Sequence, residues 1–276
     1  MTRLKSQDIA DINARLDRYD AELKVKTGNT LLGIACHAVG IGEKIVQDLT
    51  VSAKVGVVPM TCGKGVIAGF AEAVRQIAVH IGFNAFVTRH TDVAGIAEVF
   101  ENKTDILTMA DDNRFVALHL KNYRVIDNTV ATGKGFAAGL DLMSGGLKGK
   151  SCLVIGCGPV GRNAASALIN FGAKVAVYDI NQQQCKVVAE QLTRSFDTNI
   201  EVETSLEYAL RRHRLLIEAT NSTNVIGEKD ITPETYIAAP GIPLGLSAAA
   251  YEKAMDRLLH DPLQIGVAAM LLSVVI

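Results

Sequence analysis

Near the start of the chain apolar residues recur at three- and four-residue steps with charges between them: Ile9, Ile12, Leu16, Tyr19 and Leu23. That spacing lines one face of a helix, so it predicts a single amphipathic helix over 6–26, with Ser6 as N-cap and Gly28 as stop. A weaker helical pattern covers 31–48. At Lys54 the pattern changes. Val55-Gly56-Val57-Val58-Pro59-Met60 reads as a buried strand that ends at Thr61-Cys62-Gly63-Lys64-Gly65. A helix over 66–81, a strand over 85–88, a helix over 93–100 and a strand over 106–110 follow. Asp111-Asp112-Asn113 closes that strand and is expected to open a helix over 114–120, capped by Asp112 or Asn113. The alternation predicts a small parallel sheet with covered faces, whose working residues gather at the carboxyl ends of its strands.

A connecting helix is expected over 132–144. Gly and Lys then concentrate in 144–150, which marks a domain joint. The fold expected is α/β: an N-terminal helical plus small parallel-sheet domain over 1–147, then a Rossmann-like domain over 148–276 that ends in a C-terminal helix. Strands of the second domain are expected over 152–156, 174–179, 200–203, 215–219 and 236–239, with helices between them. The apolar run 266–275 reads as a buried helix. It is expected either to pack back onto the first domain or to serve a homodimer interface.

The balance of 28 Lys+Arg against 29 Asp+Glu gives a formal charge of −1, which argues against nucleic-acid or anionic-membrane partners. The polar N-terminus reads as no secretion signal, and no apolar run reaches the ~20 residues of a membrane helix. The five cysteines show no CxxC pair, and the six histidines lack ligand spacing. No metal site is expected, and a reducing cytoplasm is the expected compartment.

The strongest motif is Gly156-Cys157-Gly158-Pro159-Val160-Gly161, a G-x-G-x-x-G set between a strand and a helix. Gly156 makes the tight turn, Gly158 lets the backbone reach a pyrophosphate, and Gly161 lets helix and strand pack closely. The helix start at Pro159-Val160 offers free N–H groups to the phosphates. Asp179 ends the next strand, where it can accept hydrogen bonds from ribose hydroxyls and repel a 2′-phosphate. Ile180 and Asn181 supply no Arg, so NAD is favoured over NADP. Similar turns serve adenosylmethionine and FAD, and a glycine-rich turn without a nucleotide is the plain structural alternative. Thr220 and Asn221 end the fourth strand and Pro240 and Gly241 the fifth, where the nicotinamide half of a dinucleotide sits.

Hydride transfer also needs a substrate-side group that orients the reacting centre and manages its proton. Asp111 is the expected catalytic residue, placed to meet an ammonium or take its proton. Thr61 and Cys62 at the neighbouring strand end, with Asn113, are the expected substrate-binding residues. An ordinary strand-to-helix turn is the plain alternative for each.

These runs carry a resemblance. Val55-Gly56-Val57-Val58-Pro59-Met60-Thr61, Met109-Ala110-Asp111-Asp112-Asn113-Arg114-Phe115, Leu120-Lys121-Asn122, Pro240-Gly241-Ile242-Pro243, Pro262-Leu263-Gln264-Ile265-Gly266 and the ending Ala269-Met270-Leu271-Leu272-Ser273-Val274 resemble the PylD family of pyrrolysine biosynthesis nearly end to end. The resemblance implies NAD-dependent oxidation of the terminal amine of 3-methyl-D-ornithyl-N6-lysine, the last step towards pyrrolysine. It implies that Asp111 meets that amine; Leu4 and the first helix are expected to cover the substrate, from the helix's exposed terminal position. The chain departs at Cys62, where the family has Ser. A thiol is the weaker hydrogen-bond partner, so Thr61 is open to take over its role. Two other readings stay open: a shikimate-dehydrogenase-like enzyme, with a comparable Asp127-Asn128-Thr129 and Gly133-Lys134-Gly135-Phe136 stretch, and a non-catalytic NAD sensor.

Overall fold

In the computed structural model, which describes residues 4–276, the N-terminal apolar stripe is buried as its spacing requires, with Ile9, Ile12, Leu16 and Leu23 all inside. Two helices carry it instead of one, α1 (Ser6–Ile9) and α2 (Ile12–Thr27). Lys5, not Ser6, is the N-cap of α1, its N–H held by Asp8 Oδ2 at 2.7 Å. Gly28 ends α2 at φ +74°, a conformation cheap only for glycine. The 31–48 pattern also divides, into α3 (Leu31–Val39) and α4 (Glu43–Ser52), because Gly40 turns left-handed at φ +73°.

The first sheet comprises β1 (Lys54–Val58), β2 (Asn84–Val87), β3 (Ile106–Ala110), β4 (Phe115–His119) and β5 (Arg124–Asp127), in the order β2-β1-β3-β4-β5. Helices α5 (Phe70–His80) and α6 (Asp92–Glu101) make its crossings from β1 to β2 and from β2 to β3. A Cβ on Gly56 would stand 2.7 Å from Val99 Cγ2, so that glycine lets α6 sit close on β1. The sheet is mixed, which corrects the parallel sheet expected. β1 pairs parallel with β2 and β3, whereas β3–β4 and β4–β5 are antiparallel. The helix expected over 114–120 is therefore strand β4. Asp111 to Arg114 form a tight hairpin turn, with Asp111 N–H donating to Arg114 O at 2.9 Å.

After α7 (Asn128–Met143), the second sheet contains β6 (Ser151–Ile155), β7 (Lys174–Tyr178), β8 (Glu201–Val202), β9 (Leu215–Glu218), β10 (Tyr236–Ala238) and β11 (Leu258–Leu259). Their order is β11-β10-β9-β6-β7-β8, every pairing parallel. This is the doubly wound dinucleotide-binding order, with its switch point between β6 and β9. Helices α8 (Pro159–Asn170), α9 (Gln182–Phe196), α10 (Leu206–Arg212) and α11 (Ala248–Ala254) connect the strands. Leu153, Ile155, Leu216 and Ile237 form the centre of this core.

The chain divides into two units. One holds the residues up to Glu22, Asn29–Ala131 and Pro262–Ile276, and the other holds Leu23–Gly28 and Thr132–Asp261. The division thus falls inside α7 rather than at 147/148, and the C-terminal helix α12 (Gln264–Val275) belongs to the first unit, not the second. Every residue of α12 except Ser273 and Val275 is buried, packed on α3, α5, β4 and β5. A helix apolar on all sides must be surrounded by protein. Burying Met270, Leu271 and Leu272 contributes about 1.5–3 kcal/mol each, and it leaves α12 no apolar face for a second copy. Among the described residues no helix is long and apolar enough to cross a membrane.

Candidate functional site

In the second unit the glycine turn has the geometry its residues predict. Gly156 stands at φ +99°, and a Cβ there would meet Ala219 O at 2.7 Å. A Cβ on Gly161 would collide with Gly156 O, so only glycine lets α8 start this close to β6. Gly158 is the N-cap of α8 and has nothing within 4 Å of its Cβ direction. Pro159 holds the first helical position and no side chain caps the helix. Open space over Gly158, beside the start of an uncapped helix, is the cradle a pyrophosphate fills. The Asp179 carboxylate is fixed at the end of β7. Its Oδ2 accepts Cys157 N–H at 2.7 Å and its Oδ1 accepts Asn181 N–H at 2.8 Å. Both oxygens keep lone pairs for ribose hydroxyls. Ile180 is 93% exposed beside it. These residues fit NAD.

Thr220, Asn221, Pro240 and Gly241 lie at the ends of β9 and β10 on the same carboxyl edge. Sequence reasoning gives no role of its own to the residue that joins them. Glu218, fully buried, accepts Thr220 N–H at 2.9 Å and Thr220 Oγ1–H at 2.5 Å on one oxygen, and Gly245 N–H at 3.1 Å on the other. Burial pushes its carboxyl pKa up against these bonds. Its signal in the sequence is a lone acid ending the apolar run Leu215-Leu216-Ile217.

In the first unit two strand-end loops meet. Asp112 Oδ2 accepts Lys64 N–H at 2.7 Å, and a Cβ on Gly63 would collide with that same carboxylate. Asp92, missed by the sequence reading, holds the loop from its other side. It accepts Thr61 N–H at 2.7 Å and Thr61 Oγ1–H at 2.5 Å, and the hydroxyl and then the N–H keep its pKa below the usual carboxylate range. The structure thus gathers Thr61 and Cys62 with the turn that carries Asp111 and Asn113, all four exposed. With no helix to cap, Asp112 is instead the clip between loops, and Asp111 shapes the turn. Asp111 Oδ1 accepts Arg114 N–H at 2.7 Å and Asn113 N–H at 2.8 Å, which lowers its pKa. Its second oxygen takes neither of those two bonds. Leu4 lies ahead of α1, partly buried, and none of these bonds reaches it.

A glycine turn opening an uncapped helix, with a carboxylate at the end of the next strand of a doubly wound sheet, is the arrangement of dinucleotide-binding domains of oxidoreductases. Residues 8–126 match the family described as Pyrrolysine biosynthesis protein PylD, N-terminal domain, and residues 127–230 match Alanine dehydrogenase/PNT, C-terminal domain. The pyrrolysine synthase of Methanosarcina acetivorans is 33% identical over 276 residues, covering 99% of this chain and all of that protein. That of Methanosarcina barkeri is 32% identical, covering 99% and 98%. The chain belongs to the pyrrolysine synthase family, and it is an NAD-dependent oxidoreductase. The shikimate dehydrogenase of Aquifex aeolicus shares the fold, with a TM-score of 0.51, 18% identity and coverage of 77% of this chain and 87% of that one.

Proposed function

We propose that this chain carries out the last step of pyrrolysine biosynthesis, oxidising the terminal amine of 3-methyl-D-ornithyl-N6-lysine so that the pyrroline ring can close. The observation that carries this reading is identity at 33% along 99% of the chain and the whole of a pyrrolysine synthase.

Gly156, Gly158, Pro159, Val160 and Gly161 hold the pyrophosphate of NAD, Asp179 and Ile180 flank its adenosine ribose, and Thr220, Asn221, Pro240 and Gly241 receive its other end. NAD, when bound, takes a hydride from the carbon that bears the amine. The Arg114 and Asn113 N–H groups lower the pKa of Asp111 below the usual carboxylate range, which makes it a good ion partner for an ammonium and a weak base. Its task is to hold and orient the amine, from which one proton must leave before the C–H bond breaks. The oxidised substrate is an imine. Water adds to it and ammonia leaves, giving an aldehyde. The α-amine of the ornithine part then attacks that aldehyde, and loss of water closes the ring.

Thr61, Cys62 and Asn113 bind the substrate's remaining polar groups. Thr61 spends its hydroxyl proton on Asp92, so it offers lone pairs to a substrate N–H. Leu4 and α1 cover the substrate. The five cysteines are free thiols, which fits a reducing cytoplasm. Association into a homodimer has to use a surface other than α12. The test is to supply the isopeptide and NAD, follow NADH absorbance, and identify pyrrolysine and ammonia by mass and colorimetric assay. NADH and pyrrolysine in equal amounts are expected. No NADH with the isopeptide, or NADH with shikimate instead, overturns the reading.

A further inference from the structure

Buried carboxylates are costly unless paired or fully hydrogen-bonded. Glu218 is the fully buried acid of the second unit, and the donors to it are two backbone N–H groups and one hydroxyl. What it holds is specific. The Thr220 bonds fix the chain leaving β9. The Gly245 bond fixes the loop leaving β10, and Glu218 O adds a bond from Gly241 N–H at 3.1 Å. Gly245 O in turn accepts Val225 N–H at 2.6 Å and Ile226 N–H at 3.0 Å, which brings a third stretch into the same knot.

The glycines show how tightly this knot is drawn. A Cβ on Gly245 would lie 2.5 Å from Glu218 Cδ, and one on Gly241 would lie 2.5 Å from Thr220 O and 2.7 Å from Glu218 Oε2. The loop leaving β10 has therefore given up two side chains so that its backbone can close around one carboxyl group. Ala219, next to Glu218, is also the residue against which the Gly156 turn abuts. One acid thus sets the relative placement of the ends of β9 and β10.

We propose that Glu218 is a positioning residue for the nicotinamide half of the cofactor: through Thr220 and the Gly241–Gly245 loop it shapes the ends of β9 and β10 where that half binds. This rests on the NAD reading above. The pyrophosphate cradle and Asp179 lie on β6, α8 and β7, so the adenosine half is held by residues that Glu218 does not bond.

The test separates the two halves of the ligand. Glu218→Gln keeps size and shape, but an amide has one acceptor oxygen and must turn an N–H toward a backbone N–H. Thr220→Val, at a half-buried position, removes the hydroxyl that donates to Glu218 while keeping the acid itself, and Thr220→Ser keeps that hydroxyl. Affinity for ADP-ribose, which lacks nicotinamide, is read by calorimetry, and the ring's surroundings are read from the emission of bound NADH. Glu218→Gln and Thr220→Val are expected to bind ADP-ribose within about twofold of the parent, to bind NADH about tenfold more weakly, and to show emission moved toward that of free NADH. Thr220→Ser is expected to match the parent. Parental NADH affinity and emission in both variants, or equal losses for ADP-ribose and NADH, overturn the assignment of Glu218 alone. A parent protein that binds neither ligand overturns the NAD reading, and this assignment with it.

Discussion

The Asp179 carboxylate accepts the Cys157 N–H at 2.7 Å, so the residue that would select the ribose also holds the middle of the glycine turn that would receive the pyrophosphate. One side chain does two tasks, and its removal should show both. Asp179→Ala is expected to lower NAD affinity by roughly 10- to 100-fold, the cost of a lost charge-assisted hydrogen bond plus a loosened turn. Titration calorimetry checks this. Unchanged affinity would remove Asp179 from the cofactor site.

The glycine turn offers a contrast between two alanines. Gly161→Ala places a methyl group on Gly156 O and should lower the thermal midpoint by several degrees. Gly158→Ala meets nothing within 4 Å, so its midpoint should stay close to the parent's while NAD affinity falls, because the methyl group enters the phosphate's space. Thermal unfolding with and without NAD separates the two. A Gly158→Ala protein that binds NAD normally would show that the cradle is not used.

Asp111 makes a claim about pH. Its folded pKa is lowered by the N–H groups of Arg114 and Asn113, below an unfolded value of about 3.9. Its contribution to the turn is therefore present above the unfolded value and is lost as pH falls through the lower folded one. Across the neutral range it does not titrate, so Asp111 should add no inflection to the pH profile of kcat. Asp111→Asn should cut turnover far more than NAD affinity. Equal effects on both would take Asp111 out of the chemistry.

Away from the site, Glu203 is buried between Arg212 and His213. It accepts from Arg212 Nη1 at 2.7 Å and pairs with His213 Nε2 at 2.9 Å, while His213 Nδ1 meets Ser151 Oγ at 2.9 Å. Glu201, Glu203 and His213 lie close enough to hold a metal, but Arg212 already bridges the two acids. Glu203→Ala strands buried His213 and should destabilise the fold by roughly 3 kcal/mol, read by chemical denaturation. Chelator should leave the unfolding midpoint unchanged, and a chelator-induced drop would point to a bound ion.

What the chain declares in advance follows from local physics. Strand β6, the glycine turn, α8 and Asp179 are legible because each glycine answers a steric demand made within about twenty residues. The face Ile9, Ile12, Leu16 and Leu23 is legible because a helix repeats it. The hairpin at Asp111 was not. Phe115-Val116-Ala117-Leu118 alternates at neither period, being buried on both faces at its start, and Asp-Asp-Asn serves a helix cap or a tight turn equally well. Nor was the home of α12: a helix apolar on every side carries no mark of the partner that surrounds it. The roles of Glu218 and Asp92 were not legible because each ties down a residue far along the chain, Gly245 and Thr61, 27 and 31 residues away in sequence.

The most direct test joins substrate and cofactor in one reaction. Purified protein with NAD and 3-methyl-D-ornithyl-N6-lysine should yield NADH, ammonia and pyrrolysine in equal amounts, with shikimate giving no NADH and Asp111→Asn giving far less of all three products. NADH formed from shikimate but not from the isopeptide, or NAD bound tightly with no product from the isopeptide, would contradict it.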